Sequence, residues 1–224
     1  MAERFKAAVF DMDGVIFDSE KIYRQSYYKV GEIYGFSKED TDRFCEVCAG
    51  GTREKNALRF KDIFGDAVDY SIYRAKAHAL VDEHGQTLGF ELKKGVKETL
   101  SSLKSEGVKI ALATSTAKER AEHYLSEHDI LKYFDEIVYG DQVLHGKPEP
   151  DIFLKACEKL NVSPGCAVGI EDSINGVRAS HSAGLYTVMV IDLIMPNDVA
   201  RQNTDQISET ITEILPLFGI ENNR

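Results

Sequence analysis

Long apolar runs are missing from this chain, and with them the roughly 20 consecutive residues that a membrane span requires. The opening MAERFKAAVF lacks the apolar core and small-residue cleavage site of a secretory signal, so a cytoplasmic protein is the expectation. Cysteine is scarce. Cys45, Cys48, Cys157 and Cys166 are too few and too scattered for a disulfide framework, and they are expected to stay reduced. Cys45-x-x-Cys48 has a spacing used by zinc sites and redox pairs, but no second such pair and no clustered histidines supply further ligands. Two cysteines lining a helix is the plainer reading. Basic residues are in deficit, with 27 Lys and Arg against 37 Asp and Glu, for a formal charge of −10. Nucleic acid and anionic membrane both reward a basic face, so neither is an expected partner. An anionic substrate would need local positive charge, from a metal or from placed Lys and Arg.

What is present is ordinary globular composition. The chain has 224 residues, 43% of them hydrophobic, with Gly 17 and Pro 5, which leaves room for one sizeable α/β core and a smaller module. The stretch FKAAVFDMDGVIFDSE, residues 5 to 20, organises the rest. Phe5 to Phe10 is β-compatible and apolar except for Lys6, and Asp11, Asp13 and Gly14 follow at its end. Ligands of open α/β sheets bind outside the carboxyl ends of the strands, so acids placed there stand where chemistry is usually done. Taken alone, DxDG fits a solvated strand-to-loop turn equally well.

From Asp18 to about Phe90 the pattern is helical. Asp18 or Ser19 can cap a helix reaching about Tyr34; Ser37-x-x-Asp40 has the form of a capping box; Thr52 can cap a third helix to Phe64; a fourth spans about Tyr70 to Glu83. A single βα crossover needs far fewer residues than this, so these helices read as an inserted module. After Gly95 strands and helices alternate, which implies a parallel sheet covered on both faces. Strands are expected at Val108 to Ala113, Glu136 to Tyr139, Ala167 to Ile170 and Thr187 to Ile191, and Asp205 to Phe218 reads as a last amphipathic helix.

Three more constellations fall at expected strand exits. Thr114-Ser115-Thr116 offers hydroxyls and free amides at a helix N-terminus, which suits an anion and suits an ordinary N-cap as well. His145-Gly146-Lys147-Pro148-Glu149-Pro150-Asp151 is a stiff loop carrying one lysine. Ala167 to Ile170 delivers two adjacent acids, Glu171 and Asp172, and then a glycine-containing helix, INGVRAS. Adjacent carboxylates repel, so an apolar strand ending in two of them implies a cation unless both are fully solvated.

DMDGVIFDSE, ALATST, KPEPDIF and GIEDS, in that order, resemble the motifs of the haloacid dehalogenase superfamily of phosphotransferases. The nearest look is to the β-phosphoglucomutase-like and sugar-phosphate phosphatase group, whose helical cap follows the first motif. The resemblance implies a doubly wound, Rossmann-like parallel-sheet α/β core, residues 1–17 and 91–224, with an inserted α-helical cap domain, residues 18–90. It implies Asp11 as nucleophile, Asp13 as acid and base, Thr114 as holder of the transferring phosphoryl group with Ser115 beside it, and Lys147 as the bridge between phosphate and nucleophile. By the same resemblance Mg²⁺ is held by Asp11, the backbone carbonyl of Asp13 and Asp172, with Glu171 direct or through water. The cap should close over the site and choose the leaving group. Its loop Ala49-Gly50-Gly51-Thr52-Arg53-Glu54 resembles the loop that β-phosphoglucomutases insert there, which implies Gly50, Thr52 and Arg53 as substrate contacts. Two departures stand out: the mutases carry a lysine where this chain has Ala49 and a histidine where Tyr23 aligns.

The expected activity is Mg²⁺-dependent hydrolysis of a small phosphorylated metabolite, a sugar phosphate, through an aspartyl-phosphate. A hexose-phosphate mutase is the alternative, and a catalytically silent binding protein ranks last. A dehalogenase would lack an acid at Asp13, which favours phosphoryl transfer. No nucleic acid or membrane partner is expected, and a monomer is favoured.

Overall fold

The computed structural model describes residues 5–48, 53–192 and 195–221, the side chains of residues 20, 53–55 and 86 excepted. Two compact units result. One comprises the chain up to Phe17 and from Glu91 onward, and the other is Asp18–Phe90.

The first unit is built on six strands: β1 (Ala7–Phe10), β2 (Lys109–Thr114), β3 (Glu136–Tyr139), β4 (Ala167–Glu171), β5 (Tyr186–Val190) and β6 (Gln206–Ser208). All neighbours pair in parallel, in the order β3-β2-β1-β4-β5-β6. This is the doubly wound arrangement. β1 and β4 are buried along their whole length, because side chains of successive residues point to opposite faces and both faces are covered. On one face Ala7, Val9, Ala111, Ala113 and Ala167 pack with Phe153, Ala156 and Leu160 of helix α7 (Asp151–Leu160) and with Ala179 of α8 (Ile174–Ser182). Alanines at those strand positions let helices sit close to the sheet. Helices α5 (Val96–Ser105) and α6 (Lys118–Glu127) complete the alternation before and after β2.

The tail differs from the expected single helix. Between β5 and β6 lies a short helix, α9 (Asp198–Gln202), then Gln206–Ser208 forms the edge strand, and Ile211–Phe218 is a 3₁₀ helix. Pro216 lies inside that helix, and a proline there has no N–H to give to an α-helical ladder.

The second unit is four helices, α1 (Glu20–Ile33), α2 (Lys38–Cys48), α3 (Arg53–Phe64) and α4 (Tyr70–Thr87). Ser37 caps α2, accepting from the Asp40 amide at 3.0 Å, whereas Ser19 precedes α1 without a side-chain cap. The unit's core is aromatic: Phe44, Phe60, Tyr70 and Tyr73 are buried, and Tyr27, Tyr34, Phe36 and Phe64 pack around them. Cys45 and Cys48 lie on α2 against this cluster, and neither is in a disulfide. Burial pushes the Cys48 thiol up to about 11, partly opposed by Arg59, so it is not a ready thiolate.

Candidate active site

The strand order reverses at β1, between its neighbours β2 and β4, and the crevice of a doubly wound sheet opens at such a switch point. Asp11 follows the last residue of β1, and its amide donates to the Ile170 carbonyl of β4 at 2.9 Å. Phe10 stands opposite both Leu112 and Ile170, so the next rung brings Asp11 level with Ala113 of β2 and Glu171 of β4. Lys147 reaches this rung from the loop before α7. Its ammonium lies 2.5 Å from Asp11 Oδ1, 2.5 Å from Glu171 Oε1 and 3.1 Å from the Ala113 carbonyl oxygen. The ammonium donates to Asp11 and to the Ala113 carbonyl and pairs by charge with Glu171, so one lysine ties three strand ends together.

Two glycines make room for the acids. Gly14 has φ +77, and a Cβ there would lie 2.0 Å from Asp172 Oδ2. Gly176 is in the first turn of α8, where a Cβ would lie 1.9–2.0 Å from all three atoms of the Glu171 carboxylate. Glu171 therefore nests against bare helix backbone. Its Oε2 lies 3.2 and 3.3 Å from the Asp172 and Ser173 amides and accepts from the Ser173 hydroxyl at 3.1 Å. Ser173 in turn caps α8, accepting from the Gly176 amide at 3.0 Å. The positive end of a helix dipole and its unpaired amides suit a carboxylate at this place.

Asp11, Glu171 and Asp172 offer oxygens that all lie within 4.8 Å of one another, and the three residues are 8%, 0% and 4% exposed. One lysine cannot balance three buried carboxylates. Burial pushes the Asp11 carboxyl up to about 7, with Lys147 opposing the rise and the Glu171 and Asp13 charges adding to it. Burial alone would lower Lys147, but the Asp11 and Glu171 charges outweigh it and hold the ammonium above its ordinary value. The site is short of positive charge. An all-carboxylate donor set, its oxygens gathered within 4.8 Å of one another, suits a hard cation such as Mg²⁺. The residues present fit that ion.

Thr114, the last residue of β2, is fully buried, and its Oγ1 accepts from the Thr116 amide at 3.0 Å, which leaves its own hydrogen to donate. Ser115 is exposed beside it, and a Cβ at Gly140 would approach its Cα to 3.2 Å. Thr116 Oγ1 donates to Asp13 Oδ2 at 2.8 Å. Asp11, Asp13, Thr114, Lys147, Glu171 and Asp172 thus gather at one sheet edge. Gly50 and Thr52 lie outside the described residues; Arg53 opens α3, and its side chain lies outside them too. Ser173 and Gly176 carry no individual role in the sequence reading, and Thr116 enters it only as one of the hydroxyls of Thr114-Ser115-Thr116.

The sequence pattern of the haloacid dehalogenase-like hydrolases matches residues 8–190. The chain belongs to that family. A phosphorylated carbohydrates phosphatase of Thermotoga maritima is 36% identical over 94% of this chain and 100% of its own length. A β-phosphoglucomutase of Bacillus subtilis is 30% identical over 93% of this chain and 94% of its own. The crystal structure of a β-phosphoglucomutase from Clostridium difficile superposes with a TM-score of 0.69 at 25% identity, covering 96% of this chain and 97% of that one. This haloacid dehalogenase-like hydrolase accordingly stands in the β-phosphoglucomutase and sugar-phosphate phosphatase group, with a parallel-sheet core and a helical insertion after β1. Among the described residues no helix is long and apolar enough to cross a membrane.

Proposed function

We propose that the chain is a Mg²⁺-dependent phosphomonoesterase of a small phosphorylated metabolite, a sugar phosphate, acting through an aspartyl-phosphate. The observation that carries this reading is the buried ion pair of Lys147 with Asp11 and Glu171, with Asp172 beside it and charge still to be balanced. In the first step an Asp11 oxygen attacks phosphorus, the bond from phosphorus to the sugar oxygen breaks, and Asp13 gives its proton to the departing oxygen. In the second step Asp13 takes a proton from water, the water oxygen attacks phosphorus, and the phospho-aspartate bond breaks to free Asp11 and phosphate. Lys147, whose ammonium donates to Asp11, and Thr114, whose hydroxyl hydrogen is left to donate, stabilise the equatorial oxygens in this reading. Asp11, Asp172, the Asp13 carbonyl and Glu171, directly or through water, would hold Mg²⁺, which supplies the positive charge that keeps Asp11 ionised and screens it from the phosphate. Gly50, Thr52 and Arg53 are assigned to the leaving group on the resemblance of their loop.

The hexose-phosphate mutase is the competing reading. A mutase must protect its phospho-aspartate from water until a bisphosphate has reoriented, and in the resembling mutases the lysine and histidine replaced by Ala49 and Tyr23 couple sugar binding to engagement of the acid. In this chain Tyr23 is an aromatic packed edge-on against His78 of α4, ring centroids 5.3 Å apart. The similarity to the Thermotoga phosphatase supports hydrolysis as well. The test is incubation with Mg²⁺, β-glucose 1-phosphate and a trace of the 1,6-bisphosphate, following glucose 6-phosphate and inorganic phosphate together. Net phosphate release with little isomerisation is expected. Glucose 6-phosphate forming much faster than phosphate would promote the mutase, and no reaction of p-nitrophenyl phosphate would remove the enzyme reading altogether.

A further inference from the structure

We infer that Thr116 is a positioning residue for Asp13, fixing one carboxylate oxygen so that the other is presented to the sugar or water oxygen. The inference rests on the hydrolytic reading above and assigns the residue that makes its proton transfer directional. Asp13 lies beyond the end of β1, where an isolated bridge to Phe17 holds its backbone but leaves the side chain only partly buried. A carboxylate in such a turn has two equivalent oxygens and a soft terminal torsion. Thr116 Oγ1 holds Oδ2 at 2.8 Å across 103 residues of sequence. The donor is itself fixed twice over. Its amide is tied to Thr114 Oγ1 at 3.0 Å, and its β-branched side chain has restricted χ1 freedom. Thr116 therefore links the hydroxyl assigned to the phosphoryl group with the carboxylate assigned to the proton. With Oδ2 engaged as an acceptor, the proton travels on Oδ1 in both half-reactions, to the sugar oxygen first and from water second.

The decisive experiment compares Thr116→Val, Thr116→Ser and Asp13→Asn, each with the double variant Thr116→Val/Asp13→Asn, in the Mg²⁺-loaded protein. Single-turnover phosphorylation is followed with glucose 6-phosphate, a poor leaving group, and with p-nitrophenyl phosphate, which leaves without a proton. Thr116→Val should slow the sugar phosphate about 10- to 100-fold with KM within about threefold, because an acid misplaced by about 1 Å costs on that order. The aryl phosphate should slow less than about threefold in this step, and Thr116→Ser should restore the sugar rate to within about threefold. In the Asp13→Asn background Thr116→Val should cost no more than about twofold, because a residue acting through Asp13 has nothing left to position. Equal losses on both substrates, or a full additive loss in the double variant, would overturn the role. Crystal structures of wild type and Thr116→Val give a readout independent of turnover: Asp13 should hold one rotamer in the first and spread over two in the second. A single shared rotamer would refute the positioning role even if the hydrolytic reading stood. A wild type that releases no phosphate while Asp13 shows the predicted ordering would fault the hydrolytic reading alone.

Discussion

In the α/β unit the buried polar residues include Asp11, Glu171 and Asp172, crowded at strand ends around one lysine, whereas the buried polar residues described in the helical unit are the uncharged Ser19, Ser26 and Thr41. The helical unit instead encloses rings: Phe44, Phe60 and Tyr73 are each no more than 1% exposed. Tyr73 uses its one polar atom, donating to the Tyr27 carbonyl at 2.7 Å. The difference lies between a candidate site and a scaffold. Buried like charges oppose folding, and they persist where a ligand is to compensate them. An aromatic cluster has no such debt, and its substitution acts on stability.

The sharpest break of that comparison is Asp172→Asn. If the carboxylate cluster exists to hold a cation, this variant should lose at least about 10³-fold in phosphatase activity, because one ligand and its charge are gone. Stability without metal should hold or rise, since one of three mutually repelling carboxylates has been neutralised. Thermal unfolding with and without Mg²⁺, beside phosphate release, checks both halves. Near-normal turnover would sink the metal assignment.

Gly176→Ala comes next, because it sets the α/β unit against a rule that helices elsewhere obey. Alanine in place of glycine inside a helix ordinarily stabilises by up to about 1 kcal/mol. At this position the new Cβ would overlap the Glu171 carboxylate, so overpacking of about 1–3 kcal/mol should prevail, with activity falling about 10²-fold as Glu171 and its hold on Lys147 shift. In a Glu171→Ala background the space is free, and the same substitution should become neutral or stabilising. Chemical denaturation of the four species completes the cycle, and destabilisation that survives removal of Glu171 would refute the cradle.

The order of strands and helices was legible because apolar periodicity and turn residues agree along most of the chain; Glu136–Tyr139 carries the same bounds in sequence and structure. The acids at the ends of β1 and β4 were legible because an apolar run followed by carboxylates is rare without a reason. The tail was misread. ITEILPLF has a helical spacing of apolar residues, and three-residue Gln206–Ser208 is too short for alternation to register, although Pro216 was an available warning. The pairings of Thr116 and Gly176 were invisible for another reason. Their partners, Asp13 and Glu171, meet them through sheet register and helix packing, which one-dimensional spacing does not encode.

The helical unit supplies the next test, on stability alone. Phe60 is buried, with the rings of Phe36, Phe44, Phe64, Tyr70 and Tyr73 at centroid distances of 4.8–6.0 Å. Phe60→Ala should cost about 3–5 kcal/mol, from lost burial and the cavity left behind. The loss should appear as earlier proteolysis or faster amide exchange within Asp18–Phe90, while β1 and β4 keep their protection. Equal loss of protection in both units would show that they unfold as one and would weaken the contrast between them.

The smallest effect tests whether the contrast ends at the site. Asp42 in the helical unit and Asp135 in the α/β unit are both held below the ordinary value of 3.8. In the helical unit Asp42 is lowered first by the Tyr28 hydroxyl, then by Arg24, whose Nη2 lies at 2.8 Å. In the α/β unit burial alone would raise Asp135, but Lys104 and the Ile110 amide, donating at 2.8 Å, outweigh it. Both folded values lie below the unfolded one, so each group adds stability that is complete above about pH 4–5 and is lost as pH falls through its folded value. Solvent screening keeps each contribution at or below about 1 kcal/mol. Asp42→Asn and Asp135→Asn should therefore each lower stability slightly at pH 7 and flatten its decline between about pH 5 and pH 3 by a similar amount, read from urea midpoints across that range. A flattening confined to Asp135→Asn would mean that the helical unit gains nothing from its surface pairs, and that the two units differ in their exposed electrostatics as well as in what they bury.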